Sequence, residues 1–272
     1  MGRSFTNNRL LDKLTKGEYR HILEYVKKDE FLRIEMRICN QAKIYYKKSL
    51  IMTLFPIRKQ MLLSSGYYEN KPKPVLILDK PESYFEIAKQ LVEEHKRDIK
   101  KNTEFEIQQL IANANSTNKN RFLVLDMEYQ FEQKKVIKRT KAKTRFDIVA
   151  IDLQLNKIML FELKQGVNSL SGNSGADDHF YRYLEHKNHA QFISALREDI
   201  KGILWSKKQL GLIDFDISKI MQQVEQAGID FSVIFAAHTH EELNYYKQNY
   251  GNKYKTIYIN IKSNNFILKD GI

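Results

Sequence analysis

RFDIVAIDLQLNKIMLFELKQG, residues Arg145 to Gly166, is the stretch from which the fold is read. It holds two apolar runs, Phe146 to Leu153 and Ile158 to Leu163, rich in the β-branched and aromatic residues that suit a pleated surface. Between them, Gln154 to Lys157 is polar and contains Asn156, which predicts a tight connection and an antiparallel hairpin. Side chains alternate faces along a strand, so Glu162 and Lys164 point one way while Phe161 and Leu163 point the other. Antiparallel pairing through a short turn sets the start of one strand opposite the end of its partner, which brings Asp147 towards Glu162. Asp152, the competing acid, sits by the turn and away from Glu162.

Two carboxylates that converge repel each other and resist joint ionisation unless a cation lies between them. An all-oxygen donor set suits Mg²⁺ or Mn²⁺. An adjacent Lys164 would orient or deprotonate a water, or stabilise charge developing on a phosphate. The plainer alternative is an exposed Glu162–Lys164 ion pair on a half-solvated sheet, of little energetic worth.

Elements of matching type flank this hairpin. Phe122 to Phe131 reads as the preceding strand, and Phe231 to Ala237 as a buried strand beside the Glu162 strand. Thr256 to Ile261 adds another. Helical spacing predicts a helix from about Pro81 to Lys101 and a second from Glu104 to Ala114, with Ile107, Leu110 and Ile111 as its stripe. A long helix is expected over Asp177–Leu210, with Tyr183, His186, Ala190 and Ile193 at helical spacing, and another over Glu241–Tyr250, stopped by Gly251. His238 and His240 lack further ligands nearby and are assigned to capping or loop roles.

Asp147, followed by Glu162-Leu163-Lys164 at the end of the next apolar strand, resembles the D…ExK signature of the PD-(D/E)xK nuclease superfamily, the restriction-endonuclease-like fold. Phe146 stands where the family pattern has Pro. The order helix, strand, Asp strand, ExK strand, helix, strand, over about residues 82 to 262, is similar to the superfamily's α-β-β-β-α-β core. The resemblance implies an α/β (α+β) domain with a central mixed sheet flanked by helices. It further implies Mg²⁺ (or Mn²⁺) held by Asp147, Glu162, the backbone carbonyl of Leu163 and an acid on the helix before the sheet. Glu104, on the face of Ile107 and Ile111, takes that last place, with Glu106 as the alternative. Gln191 matches a Gln that some branches carry on the helix after ExK. The implied activity is metal-dependent hydrolysis of phosphodiester bonds, with DNA the expected substrate. A non-catalytic nucleic-acid-binding protein of the same fold is the alternative.

Composition agrees with that class. Lys and Arg number 45 against 33 Asp and Glu, a net charge of +12, which favours a polyanionic partner. Lys134, Lys135, Lys138, Arg139, Lys141, Lys143 and Arg145 crowd the approach to Asp147 and are expected to neutralise phosphates without reading sequence. Asn168 to Gly175 reads as a mobile loop. Cys39 is the sole cysteine, which excludes an internal disulfide framework and a multi-cysteine zinc site. No apolar run of about 18 residues is present to span a bilayer and no apolar leader opens the chain, so a cytoplasmic protein is expected. No G-x-S-x-G elbow or Gly-rich phosphate loop supports a serine hydrolase or a nucleotidase.

At 272 residues the chain exceeds the roughly 100 to 200 of a typical domain. Residues 1–75 are expected to form an N-terminal helix-plus-hairpin extension, with a helix from about Leu10 to Tyr25 and strands from Phe31 and Lys43. Residues 76–272 are expected to form the nuclease-like domain, after the proline-broken linker that ends at Pro74. Cutting both strands of a duplex commonly takes two sites, so a homodimer stays open.

Overall fold

The computed structural model describes residues 8–37, 41–47, 49–69, 71–95, 99–131, 144–166 and 175–269. The chain forms two compact units, one of Arg3–Gln109 with Gly202–Asp214, the other built on Leu110–Lys201 with Phe215–Ile272. The division falls inside two helices rather than at the Pro-rich linker.

The N-terminal unit carries α1 (Asn8–Thr15), α2 (Arg20–Lys28), β1 (Leu32–Arg37), β2 (Gln41–Tyr46), β3 (Ser49–Leu54), β4 (Met61–Leu62), α3 (Glu82–Glu94) and the start of α4 (Ile99–Ala114). Leu10 and Leu14 on α1, and Ile22 and Val26 on α2, recur at helical spacing and are buried. The single helix expected here is broken at Gly17, where an added Cβ would lie 2.9 Å from the Lys13 Cα. The expected hairpin is a four-stranded sheet in the order β1-β2-β3-β4, each neighbour antiparallel. Lys47, at φ 45°, splits the anticipated long second strand into β2 and β3.

The alternating charges of β1 face inward. Arg33, Glu35 and Arg37 are all buried. Arg33 Nε meets Glu35 Oε1 at 2.5 Å, and Lys207 Nζ meets Glu35 Oε2 at 3.0 Å. Arg33 and Glu35 therefore each have a counter-charge, and Arg37 Nη2 donates to the Tyr45 hydroxyl at 3.3 Å, which offsets the cost of burial.

The second unit contains the stretch quoted at the outset. Its five-stranded sheet runs β5 (Phe122–Phe131), β6 (Thr144–Asp152), β7 (Lys157–Gln165), β8 (Gly228–Ala237) and β9 (Thr256–Asn260), in that order. The first three strands are antiparallel neighbours, and β8 and β9 continue parallel to β7. Parallel neighbours need crossovers. The helices α5 (Ala176–His186), α6 (Ala190–Gln209) and α7 (Ser218–Gln226) lie between β7 and β8, and α8 (His240–Tyr250) lies between β8 and β9. The mixed sheet with helices agrees with the expected α+β class.

The hairpin register is the one the sequence dictates, with Ile148 opposite Phe161 and Asp152 opposite Lys157. Its turn is held by Asp152, whose Oδ1 accepts from the N–H groups of Gln154 (3.0 Å) and Leu155 (3.1 Å), and by Asn156 at φ 52°. Central β6 and β7 are buried from Phe146 to Asp152 and from Ile158 to Lys164. They form a core with both faces covered, as mixed sheets between helices require. The long helix expected over Asp177–Leu210 is interrupted at residues 187–189, which separates α5 from α6. Among the described residues no helix is long and apolar enough to cross a membrane.

Candidate active site

Pairing and alternation bring a set of acids to one face of the second unit's sheet. Val149 lies opposite Leu160 and opposite Asp126, and residues paired across strands share a face. Two residues along β6 from Val149 is Asp147, and two along β7 from Leu160 is Glu162, followed by Lys164. Asp126, Asp147, Glu162 and Lys164 thus share one face, near the C-terminal end of β7.

The group is not a solvated surface pair. Asp147 is 3% exposed, Glu162 2% and Lys164 4%. Lys164 Nζ donates to Glu162 Oε1 at 2.6 Å. The Leu163 N–H donates to Asp147 Oδ2 at 2.8 Å, so the acid of β6 is tied to the backbone of the Glu162 strand. Burying these charges costs several kcal/mol each unless they are paired and hydrogen-bonded. Glu162 and Lys164 offset that cost for each other only at one carboxylate oxygen.

The second oxygen faces α5. His179 Nδ1 lies 2.9 Å from Glu162 Oε2, yet the two atoms are not aligned as donor and acceptor. Both are buried, and neither has a hydrogen-bond partner among the described residues. Neither His179 nor Asp126 belongs to a motif in the sequence. His179 lies four residues before Tyr183 and seven before His186, on the stripe already read as the inner face of the helix. Asp126 interrupts an otherwise apolar run in β5 and is wholly buried, a placement that demands a counter-charge or hydrogen bonds.

The backbone beside the acids departs from regular strand. Glu128, at φ 54°, falls between the pairs Met127–Ile148 and Tyr129–Phe146, level with Asp147. A left-handed conformation is disfavoured for a residue with a Cβ, and such departures are frequent beside functional groups. Gly166, at φ 78°, turns the chain away immediately after β7, a conformation that glycine adopts without strain. Beyond Lys164, the Nε2 atoms of Gln165 and His238 lie 3.0 Å apart.

The other residues singled out in the sequence are placed as follows. Gln191 is exposed on α6, not on the helix that follows β7 directly. Glu104 and Glu106 are half-buried on the part of α4 that belongs to the N-terminal unit. Of the basic cluster, Lys134, Lys135, Lys138, Arg139, Lys141 and Lys143 lie outside the described residues, as does 167–174 of the loop after Gly166. Arg145 is half-exposed and pairs with Glu128 at 2.9 Å. His238 and His240 flank Thr239, which caps α8 by accepting from the Glu242 N–H at 3.2 Å. The His238 N–H in turn donates to Glu242 Oε2 at 2.9 Å.

A cleft of about 350 Å³ opens at the opposite end of the strands, lined by Arg121, Asp152, Lys157, Asp230 and Lys255 among others. Both of its acids are paired: Arg121 Nη2 meets Asp152 Oδ2 at 2.7 Å, and Lys157 Nζ meets Asp230 Oδ2 at 3.1 Å, with Lys255 Nζ on the same oxygen. Burial alone would raise the Asp152 pKa, but the Arg121 guanidinium and the turn N–H groups outweigh it and hold the carboxyl below its ordinary value. Asp152 is therefore a structural acid, as its place by the turn suggested.

Among the described residues, no three His, Cys, Asp or Glu side chains converge as a ready-made metal cage. The donor chemistry nonetheless fits a cation: a buried carboxylate oxygen with no hydrogen bond faces a buried imidazole nitrogen with none, beside a second buried acid. Compared with family models, with characterised proteins and with solved structures, the chain matches none.

Proposed function

We propose that the protein is a metal-dependent nuclease that hydrolyses phosphodiester bonds, with DNA as its substrate. The observation that carries the proposal is the burial of Asp147, Glu162 and Lys164 together on one sheet face. Packing alone gives no reason to bury two acids and an ammonium together, since apolar residues of similar size would be as stable or more so. The D…ExK order of these residues, similar to that of the PD-(D/E)xK superfamily, supports the same reading, and the net charge of +12 suits a polyanion.

Asp147 and Glu162 would hold a divalent Mg²⁺ or Mn²⁺, with the Leu163 carbonyl as a further oxygen donor. Such a cation supplies Lewis-acid polarisation of the scissile phosphate. The chain's own residues do the rest. The Leu163 N–H fixes Asp147 in position. Lys164 brings a positive charge that Glu162 orients, and it stabilises negative charge as a water oxygen attacks phosphorus and one P–O ester bond breaks. Arg145, with the basic run before it, would hold the flanking phosphates.

Incubation of the protein with supercoiled plasmid and with single-stranded DNA, in Mg²⁺, Mn²⁺ or EDTA, tests the proposal. Nicked or shortened DNA that disappears with EDTA is expected. Salt-sensitive binding without cleavage under any metal would instead favour a binding module built on the same fold.

A further inference from the structure

We infer that His179 is a metal ligand, so that the site takes a mixed nitrogen and oxygen donor set and prefers Mn²⁺ or a later transition ion to Mg²⁺. The inference rests on the metal-dependent reading above and adds to it a residue from a different element. Glu162 has two oxygens in different circumstances. Oε1 accepts from Lys164 at 2.6 Å, while Oε2 is buried, lacks a hydrogen bond and faces His179 Nδ1 at 2.9 Å. An ordinary imidazole–carboxylate hydrogen bond at that distance would place the N–H along the line to the oxygen, and here it does not lie so. Two buried donor atoms this close, neither with a hydrogen bond, suit a shared cation instead. Donors about 2.1 Å from one octahedral cation and at right angles stand about 3 Å apart.

Local structure holds the imidazole in place. His179 lies in the first turn of α5, its backbone N–H bonded to the Gly175 carbonyl. One position on, Phe180 packs on Phe231 of β8 with ring centroids 5.7 Å apart, and Tyr183 stacks on the same ring at 5.5 Å. The helix is therefore clamped to the sheet within the turn that follows His179. Imidazole nitrogen is a borderline donor that suits Mn²⁺, Co²⁺ and Ni²⁺, whereas Mg²⁺ keeps oxygen ligands and water.

Electron paramagnetic resonance of the full chain titrated with Mn²⁺ tests this without reference to cleavage. The expected result is bound Mn²⁺ with nitrogen-14 modulation of its echo signal. That modulation should be lost in both His179→Ala and His179→Asn, with Mn²⁺ affinity lowered about ten-fold or more. The preference for Mn²⁺ over Mg²⁺ should fall by about the same factor. Mn²⁺ binding that is lost in Glu162→Gln but carries no nitrogen modulation in the wild type would overturn the role of His179 and leave the oxygen-ligated nuclease standing. No Mn²⁺ binding by the wild type would overturn both. Because the nitrogen signal is read in the unaltered protein, misfolding of a variant does not obscure the result.

Discussion

The Leu163 N–H donates to Asp147 Oδ2 at 2.8 Å, which couples the acid of one strand to the backbone between the Glu and Lys of the next. Fold and chemistry are therefore separable at Asp147. An asparagine keeps an acceptor for that N–H, whereas an alanine leaves it buried and unbonded, at a cost of about 1–3 kcal/mol. Asp147→Asn should unfold in urea within about 1 kcal/mol of the wild type, and Asp147→Ala should fall further. Equal stabilities of the two variants would show that the bond contributes nothing.

Glu162 and Lys164 should behave as one unit. Removing one partner strands a buried charge, so Lys164→Met or Glu162→Gln alone is expected to destabilise by about 3–5 kcal/mol. The double variant should be destabilised by much less than the sum. A double-mutant cycle in urea measures this, and additivity within about 0.5 kcal/mol would contradict the pairing. Activity lost in either single variant is interpretable only beside that stability measurement.

Acid should unlock the β6–β7 turn. The Asp152 pKa is held below its ordinary value in the folded protein, so its contribution is complete above the unfolded aspartate value and is lost as pH falls through the folded one. Asp230, which Lys255 and Lys157 hold below its ordinary value against the opposing effect of burial, loses its contribution in the same window. Urea midpoints of the wild type should therefore fall between about pH 5 and about pH 2, and Asp152→Asn should flatten part of that fall. An unchanged profile in the variant would count against the Arg121 pairing as a source of stability.

Gly166 exits β7 at φ 78°, and an added Cβ meets no atom of the described residues within 4 Å. The expected cost of Gly166→Ala is therefore conformational, about 1 kcal/mol, with Gly166→Asn milder because asparagine tolerates the left-handed region. Thermal unfolding of the two variants distinguishes this from a packing effect, which would penalise the larger asparagine more.

Much of the second unit was legible in the sequence because its signals are local. Strand alternation fixed which way Glu162 and Lys164 point, and a short polar turn fixed the register that brings Asp147 beside them. What escaped depends on partners distant in sequence. The alternating charges of β1 mark only a strand in the sequence, and Glu35 is buried because Lys207, from the end of α6, meets it. His179 falls on the inner stripe of its helix, but only the packing of α5 sets it against Glu162. The break between α5 and α6 was hidden because apolar spacing continues across it. The N-terminal helix pair was merged for the same reason, although Gly17 marks the turn. The linker prolines suggested a boundary near residue 75, whereas α3 packs with the N-terminal sheet, its Tyr84 hydroxyl accepting from the Leu63 N–H at 3.0 Å.

A hydrolytic site at Asp147 and Glu162 is tested by comparing plasmid cleavage by the wild type and by Asp147→Asn in Mn²⁺, with both proteins shown to be folded at the assay temperature. Nicking by the wild type, its abolition by EDTA, and a loss of at least about a hundred-fold in the variant at matched stability are expected, in line with removal of a group that stabilises the transition state. Equal cleavage by the two proteins would contradict a hydrolytic site at Asp147 and Glu162.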